Sequence, residues 1–208
     1  PAVRSAVPLR SGLRVLSAGQ MVPRERGLLL ALAPCGKREE ADQKAAQGAG
    51  TGAADLITVR GMERLGISHV IIYAGSLVNP ELLQYAKKNC EIHNSARLTL
   101  PEVLAIMEEA EKDGKVIVRL HTGDPSIYGA VREQMDALEE KGIAYESCPG
   151  VSACFGAAAS LNLEYTLPDI SQTLIITRME GRTGVPEKEQ IEGLAAHQAS
   201  MAIYLSAG

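Results

Sequence analysis

The chain has no tryptophan, a single phenylalanine (Phe155) and only six tyrosines among its 208 residues. Its core therefore cannot rest on large aromatic side chains, and we expect one built mainly of Ala, Val, Ile and Leu. Hydrophobic residues nevertheless make up 46% of the chain, which excludes a wholly disordered polypeptide. A chain of this length and composition can bury a sizeable core, in one domain or in two small ones.

A surplus of basic residues is also missing. Lys and Arg number 21 against 25 Asp and Glu, which gives a formal net charge of −4. Because proteins that bind nucleic-acid phosphates normally carry excess positive charge, we expect no nucleic-acid partner. No apolar run reaches the ~18 residues that a membrane-spanning helix requires, so we expect no membrane partner either.

Signals for export and for metal binding are equally scarce. The short apolar stretch at residues 27–34 lies well inside the chain and has no convincing cleavage site, so we interpret the protein as cytoplasmic. The four cysteines form no CxxC pair and have no histidine at metal-ligand spacing. We therefore expect reduced thiols and no metal site.

What the sequence does contain is a regular alternation of strand and helix patterns. β-Branched runs at 69–75 and 115–124 predict buried strands, and residues 143–150 are interpreted as a third strand. Between them lie amphipathic patterns that predict helices, with Asn79 as an N-cap before Pro80 and with Gly114 and Gly142 as helix ends. Such alternation predicts an α/β fold with a mostly parallel sheet.

Three turns are predicted at one edge of this sheet. Gly75–Ser76, Gly123–Pro125 and Pro149–Gly150 each follow a strand, and ligands of parallel sheets bind beyond the carboxyl ends of the strands. Three turns at one edge favour a binding site, although any one of them could simply reverse the chain. Beside them, His121 is either a base or a hydrogen-bonded residue at a strand end, and Asp124 is either a ligand contact or a turn former.

The glycine-rich segment GAGTGA at 48–53 does not by itself indicate a nucleotide. It fits G-x-G-x-x-A, but the dinucleotide fingerprint also needs a preceding strand and an acidic residue at the end of the next one. Residues 43–47, QKAAQ, look like a poor strand, and the run HVIIYAGS ends without a carboxylate. Neither a GxxxxGK[ST] loop nor a G-x-S-x-G elbow occurs, which argues against P-loop and α/β-hydrolase chemistry.

Five ordered motifs carry a resemblance to a known family. They are GAGTGAADLITVRG, VIIYAGSLV, VRLHTGDPSIYGAVREQM, ESCPGVSA and PDISQTLIITRMEGRTGVPE, and they extend over about residues 48–208. Together they resemble the tetrapyrrole methyltransferases that act on corrin and sirohaem precursors. Within that family they are most similar to the branch that methylates precorrin-4 or cobalt-precorrin-4 at carbon 11. The alternatives are a methyltransferase of uroporphyrinogen III or of another precorrin, and an inactive fragment.

The resemblance implies a two-domain α/β enzyme of cobalamin biosynthesis, usually a homodimer, that binds S-adenosylmethionine between its domains. No catalytic residue is implied, because positioning and desolvation of the substrate are expected to matter most. The implied cofactor-binding residues are Thr51, Thr122, Gly123, Asp124, Ile127, Ser152, Ala153, Tyr204 and Leu205. Substrate carboxylates would be met by Ser76, Arg178 and Arg182, although the two arginines could equally be solvated loop charges.

The resemblance also suggests how the chain is divided. Residues 1–47 are an extension that does not match the family, 48–148 an N-terminal α/β domain, and 149–208 a truncated C-terminal α/β domain. The family has a central strand just before Gly48, so either residues 27–34 replace the weak QKAAQ segment or the sheet lacks that strand. Thr51 stands where the family has a proline. Since a truncated sheet exposes edge groups, we expect poor stability in isolation.

Overall fold

The computed structural model describes residues 15–17, 44–48, 52–181 and 183–205. Two of the sequence-predicted site residues, Thr51 and Arg182, lie outside these ranges, as does the apolar stretch at 27–34. The described residues form two compact units, one within Arg24–Ala157 and one within Pro1–Pro23 and Ala158–Gly208. Each unit is described separately below.

The larger unit is built on a parallel sheet of five strands. Their spatial order is β4 (Glu91–Asn94), β3 (Val70–Tyr73), β5 (Ile117–His121), β2 (Lys44–Gly48) and β6 (Glu146–Cys148). Every pairing in this sheet is parallel, so all five strands end at the same edge. The predicted α/β class with a parallel sheet is confirmed.

Helices in this unit alternate with the strands. They are α1 (Val59–Ile67), α2 (Leu100–Lys112) and α3 (Arg132–Glu140). Gly114 and Gly142 follow α2 and α3 with φ of +63° and +65°, a conformation that glycine adopts without strain, and both predicted helix ends are confirmed. Asn79 caps a helix by accepting from the Glu81 amide, as predicted, but that helix is a 3₁₀ helix over Pro80–Tyr85.

The core lies on both faces of the sheet, because successive residues of a strand point to opposite sides. On one face Ile71 and Val118 pack with Leu65 of α1. On the other face Ile72 and Ile117 pack in the cluster that contains Met107 of α2 and Leu138 of α3. Aliphatic side chains dominate both clusters, as the scarcity of aromatic residues predicts. This two-sided packing makes the sheet a rigid base for the loops at its edge.

The expectation that residues 43–47 are too poor a strand, so that residues 27–34 replace them or the sheet lacks the strand before Gly48, was wrong. Lys44–Gly48 forms β2, which pairs with β5 on one side, from Lys44 with Ile117 to Gly48 with His121. On its other side β2 pairs with β6, Ala45 lying opposite Glu146. Ala, Gln and Lys have low intrinsic strand preference, but a strand with two neighbours satisfies its backbone groups whatever its side chains are. The GAGTGA segment therefore does follow a strand, and it fails the dinucleotide pattern only because β3 ends without a carboxylate.

The smaller unit is a second α/β arrangement. Its parallel sheet has the order β1 (Val15–Ser17), β8 (Ser200–Tyr204), β7 (Leu174–Arg178), and it also contains α5 (Ile191–Ala195). α4 (Ala153–Ser160) includes the division between the units. The predicted second domain began at residue 149 and included nothing from residues 1–47; here the division falls between Ala157 and Ala158, and Val15–Ser17 supplies a strand that was not predicted. Among the described residues, no helix is both long enough and apolar enough to cross a membrane.

Candidate functional site

Three adjacent strands of the larger sheet lead into loops of small residues at their carboxyl ends. β5 is followed by Gly123–Pro125, β6 by Pro149–Gly150, and β2, which lies between them, ends at Gly48. The predicted turn at Gly75–Ser76 follows β3, next to β5, at the same edge. Since these strands are all parallel, the sheet alone brings the loops together.

The backbones of three of these loops are in direct contact. A Cβ atom built on Gly150 would lie 1.9 Å from the Gly123 carbonyl oxygen and 2.7 Å from the Gly48 Cα, distances below the 3.0 Å that real Cβ contacts keep. A Cβ on Gly48 would lie 2.3 Å from the Gly150 Cα. We call Gly48, Gly123 and Gly150 the glycine junction. A side chain at Gly48 or Gly150 would not fit, so this approach of the three segments requires glycine at both positions.

Asp124 connects two of the loops. Its Oδ1 accepts a 3.0 Å hydrogen bond from the Ser126 backbone amide within its own turn, and its Oδ2 accepts a 3.1 Å bond from the Gly150 amide. The Ile127 amide donates to the Asp124 carbonyl at 3.2 Å and completes the turn. Gly123 precedes it with φ of +60°. Asp124 is therefore a turn former, which was one of the two roles predicted for it. It also binds the neighbouring turn, Pro149–Gly150, through the Gly150 amide.

Residues 128–131, between this turn and α3, are held by hydrogen bonds that begin at Arg119, a buried arginine of β5. Arg119 donates to the Ile72 carbonyl and, through Nε, to Gln134 Oε1 at 3.1 Å. Gln134 in turn donates to the Ala130 carbonyl at 3.0 Å. Burial lowers the pKa of Arg119 to about 10, so the guanidinium remains charged at neutral pH. Tyr128 and Ala130 have φ of 55° and 50°, which is uncommon outside glycine and needs such support.

His121, the last residue of β5, is buried rather than open to the edge. Its exposed fraction is 7%, and its Nε2 has no hydrogen-bond partner among the described residues. Burial lowers the pKa of His121 well below its ordinary value of 6.5, the positive charge of Arg119 lowers it further, and a side-chain hydrogen bond with Gln134 opposes the shift. The imidazole is therefore neutral at neutral pH. This environment fits the reading of a structural strand-end residue better than that of an accessible base.

The remaining predicted residues of the larger unit lie around the same loops. Thr122 and Ile127 flank the turn of Asp124 and are half-buried. Ser152 and Ala153 stand at the start of α4, where the Ser152 carbonyl accepts from the Phe155 amide at 3.0 Å. For Ser76 only the backbone is described, within the 3₁₀ turn Gly75–Leu77. Thr51 lies outside the described residues and the side chain of Ser76 is not described; the structure brings the other predicted residues of this unit to one sheet edge.

The predicted residues of the smaller unit also share an edge. Arg178 ends β7 directly opposite Tyr204 of β8, and Leu205 follows with an exposed side chain. The Arg178 guanidinium donates to the carbonyls of Met179, Thr183 and Gly184 at 3.2, 3.1 and 2.6 Å. These bonds organise the loop at 179–184, a role that the sequence did not reveal.

The loops of the larger unit have a charge that suits a cationic ligand. Within their described parts, residues 52–57, 122–127 and 149–153, the charged side chains are the carboxylates of Asp55 and Asp124, with no lysine or arginine. A sulfonium or ammonium group is favoured near carboxylates and disfavoured near cations. Small residues and negative charge at this sheet edge are therefore compatible with a cationic ligand.

Sequence reasoning placed Gly150 in one of the three turns at the predicted site, but it named neither Gly48 nor Gly150 as a site residue and did not predict the support of the site by Gln134. A signal for the two glycines was present, since a glycine stands at or just beyond the end of β2, β5 and β6. No local signal pointed to Gln134, because its bonds depend on the packing of α3 against β5.

Comparison with known proteins identifies close relatives. The family model of the tetrapyrrole (corrin/porphyrin) methylases matches residues 48–207. The chain is 58% identical over 158 residues to cobalt-precorrin-4 C(11)-methyltransferase of Methanocaldococcus jannaschii, an alignment that covers 76% of this chain and 61% of the relative. Uroporphyrinogen-III C-methyltransferase of Bacillus subtilis is 32% identical over 166 residues, with 76% of this chain and 34% of the relative covered.

A solved structure shows the same fold. The X-ray structure of a cobalamin biosynthetic enzyme, a cobalt precorrin-4 methyltransferase, superposes with a TM-score of 0.74 and 45% sequence identity. The match covers 76% of this chain and 66% of that one. The chain thus spans less than two thirds of the length of these relatives. The match at 48–207 agrees with the predicted extent of the resemblance.

Proposed function

The chain belongs to the family of tetrapyrrole (corrin/porphyrin) methylases, and we propose that it transfers a methyl group from S-adenosylmethionine to carbon 11 of precorrin-4 or cobalt-precorrin-4. The observation that carries the proposal is the convergence of Gly48, Gly123 and Gly150 at one edge of a parallel sheet. Loops of this kind let backbone groups approach a nucleoside closely.

The proposed roles of the residues come from the family resemblance, and the positions of the described residues at one sheet edge support them. S-adenosylmethionine, when bound, supplies an electrophilic methyl group, so the protein need not create one. Thr122, Gly123 and Ile127 would face the nucleoside from the turn after β5, and Ser152 and Ala153 from the start of α4. Thr51, Tyr204 and Leu205 remain proposed cofactor contacts by resemblance alone. Together these groups would fix the direction in which the methyl group points.

Catalysis in this proposal rests on placing the substrate carbon in line with the methyl group, about 3 to 3.5 Å away. No side chain is assigned as an indispensable acid or base. The neutral, buried His121 is consistent with this assignment, because a base must be able to exchange its proton with the substrate. The site would then act mainly by orientation and by excluding water.

The choice of precorrin-4 or cobalt-precorrin-4 as substrate is supported by comparing the sequence identities to two relatives. The 58% identity to a cobalt-precorrin-4 methyltransferase exceeds the 32% identity to a uroporphyrinogen-III methyltransferase over alignments of similar length. Ser76 and Arg182 are proposed to meet substrate carboxylates. Arg178 could join them only by exchanging some of its three carbonyl bonds, so its contacts favour a loop-organising role. The homodimer and the cytoplasmic location remain predictions.

Two measurements test the proposal. Isothermal titration with S-adenosylhomocysteine should show one site per chain, and incubation with precorrin-4 and methyl-labelled S-adenosylmethionine should give a labelled corrin, whereas uroporphyrinogen III should not be labelled. Labelling of uroporphyrinogen III alone would assign a different member of the family. Binding without methylation of any of these tetrapyrroles would favour a non-catalytic fragment, and absence of binding would contradict the proposal.

A further inference from the structure

We propose that Asp124 is a positioning residue that ties the turn after β5 to the turn after β6, and that it acts on the bound nucleoside through these turns. The inference rests on the proposed function. Its starting observation is that each carboxylate oxygen of Asp124 accepts from a different turn: Oδ1 from the Ser126 amide at 3.0 Å and Oδ2 from the Gly150 amide at 3.1 Å.

The Gly150 amide lies where the spacing of the loops is tightest. A Cβ on this residue would lie 1.9 Å from the Gly123 oxygen and 2.7 Å from the Gly48 Cα, so Gly150 is enclosed by the two neighbouring loops. Because Gly150 has no Cβ, the turns after β5 and β6 can lie this close together, and the bond from its amide to Asp124 Oδ2 holds them at that separation. Hydrogen bonds to an ionised acceptor are about twice as strong as neutral ones, which suits a tie between loops.

A direct contact between Asp124 and the nucleoside is not needed to explain this geometry. The carboxylate already has an amide donor on each oxygen, and the Ser126 hydroxyl also donates to Oδ1. Its negative charge stays near the loops, where a sulfonium would be favoured. What Asp124 determines is the relative placement of the turns that carry Gly123 and Gly150.

Asp124→Asn is a sharp test because an amide cannot replace both bonds. Whichever way the side chain is turned, its NH₂ group faces either the Ser126 N–H or the Gly150 N–H, and two donors meet. Ser126→Ala is the matched control, since it removes the hydroxyl bond and leaves both backbone bonds to the carboxylate.

The expected result for Asp124→Asn is a dissociation constant for S-adenosylhomocysteine that rises about 10- to 100-fold, the effect of displacing binding groups by up to ~1 Å. Ser126→Ala should change it less than about threefold. In turnover the Asn variant should show a raised KM for S-adenosylmethionine and a kcat within about threefold of wild type. Simple loss of folded protein would instead lower kcat and leave KM unchanged. That outcome, or wild-type affinity in Asp124→Asn, would overturn the inference.

Amide hydrogen exchange tests the tie without cofactor and without any variant. In the wild-type chain the Gly150 amide should exchange at least ten times more slowly than an unprotected amide. An unprotected Gly150 amide would refute the tie even if Asp124→Asn failed to fold. If the wild-type chain does not bind S-adenosylhomocysteine, the proposed function fails, and the exchange rate of Gly150 still decides whether the tie exists.

Discussion

Replacing Gly150 by alanine should damage the candidate site more than its single added methyl group suggests. The new Cβ would lie 1.9 Å from the Gly123 carbonyl oxygen, whereas real Cβ contacts stay above 3.0 Å. The difference, 3.0 − 1.9, is 1.1 Å, so the two turns must move apart by at least that amount. Movement away from Gly123 is blocked on another side, because the Cβ is also 2.7 Å from the Gly48 Cα.

Two consequences of Gly150→Ala can be measured. Overpacking of this kind costs about 1 to 3 kcal/mol of stability, which lowers Tm by roughly 2 to 12 °C for a chain of this size. A displacement of ~1 Å at groups that position a ligand can cost about 100-fold in binding or rate. Thermal unfolding followed by circular dichroism gives the first value, and isothermal titration with S-adenosylhomocysteine gives the second.

Gly66→Ala is the matched control for this substitution. Gly66 lies within α1 of the same unit, and its added Cβ would be 3.7 Å from the Tyr85 carbonyl, an ordinary contact. Alanine is favoured over glycine inside a helix by about 0.5 to 1 kcal/mol, so this variant should be as stable as wild type or more so. Cofactor affinity equal to wild type in both variants would refute the close packing of the glycine junction.

Three further predictions concern other contacts. Glu146→Gln should lower the free energy of unfolding of the larger unit, measured in urea, by about 3 kcal/mol, because it breaks a largely buried ion pair with Arg64. Glu109→Gln, which removes an exposed ion pair with Lys112, should have no measurable effect. Arg178→Lys should speed proteolytic cleavage within 179–184, because lysine cannot span the three carbonyls; unchanged cleavage would contradict the loop-organising role. Folding lowers the pKa of His121, so below pH 6.5 the unfolded chain binds a proton there that the folded chain does not. The free energy of unfolding should therefore decrease below pH 6.5, by up to about 1.4 kcal/mol per pH unit from this residue. Between pH 7 and 5.5 the Tm of wild type should therefore fall more than that of His121→Gln, and equal decreases would contradict the assigned burial.

Local sequence patterns predicted those parts of the fold that depend on local chemistry. The β-branched runs became β3 and β5, and glycines at 114 and 142 end helices because they take left-handed φ. The same patterns failed at β2, whose Ala-rich segment is a strand only because β5 and β6 pair with it. They also missed β4, Glu91–Asn94, an edge strand with mostly exposed side chains and little hydrophobic alternation.

In the candidate site, too, local sequence patterns predicted some features and missed those that depend on distant parts of the chain. Alternating strands and helices placed the turns after β3, β5 and β6 at one edge, and that prediction is confirmed by the parallel pairing. The bond from Gly150 to Asp124 joins residues 26 positions apart, and Gly150, after β6, also lies against Gly48 at the end of β2 and Gly123 after β5. Such contacts depend on the register of the sheet, which sequence periodicity does not specify residue by residue.

The most direct test of the proposed nucleoside site is an NMR titration of the ¹⁵N-labelled chain with S-adenosylhomocysteine. The amide signals of Gly48, Gly123 and Gly150 should move together and saturate at one equivalent, while that of Gly142, at the end of α3 with an open surrounding, should stay in place. Saturable binding that leaves the signals of the glycine junction unchanged would place the nucleoside elsewhere and contradict the assignment of this sheet edge.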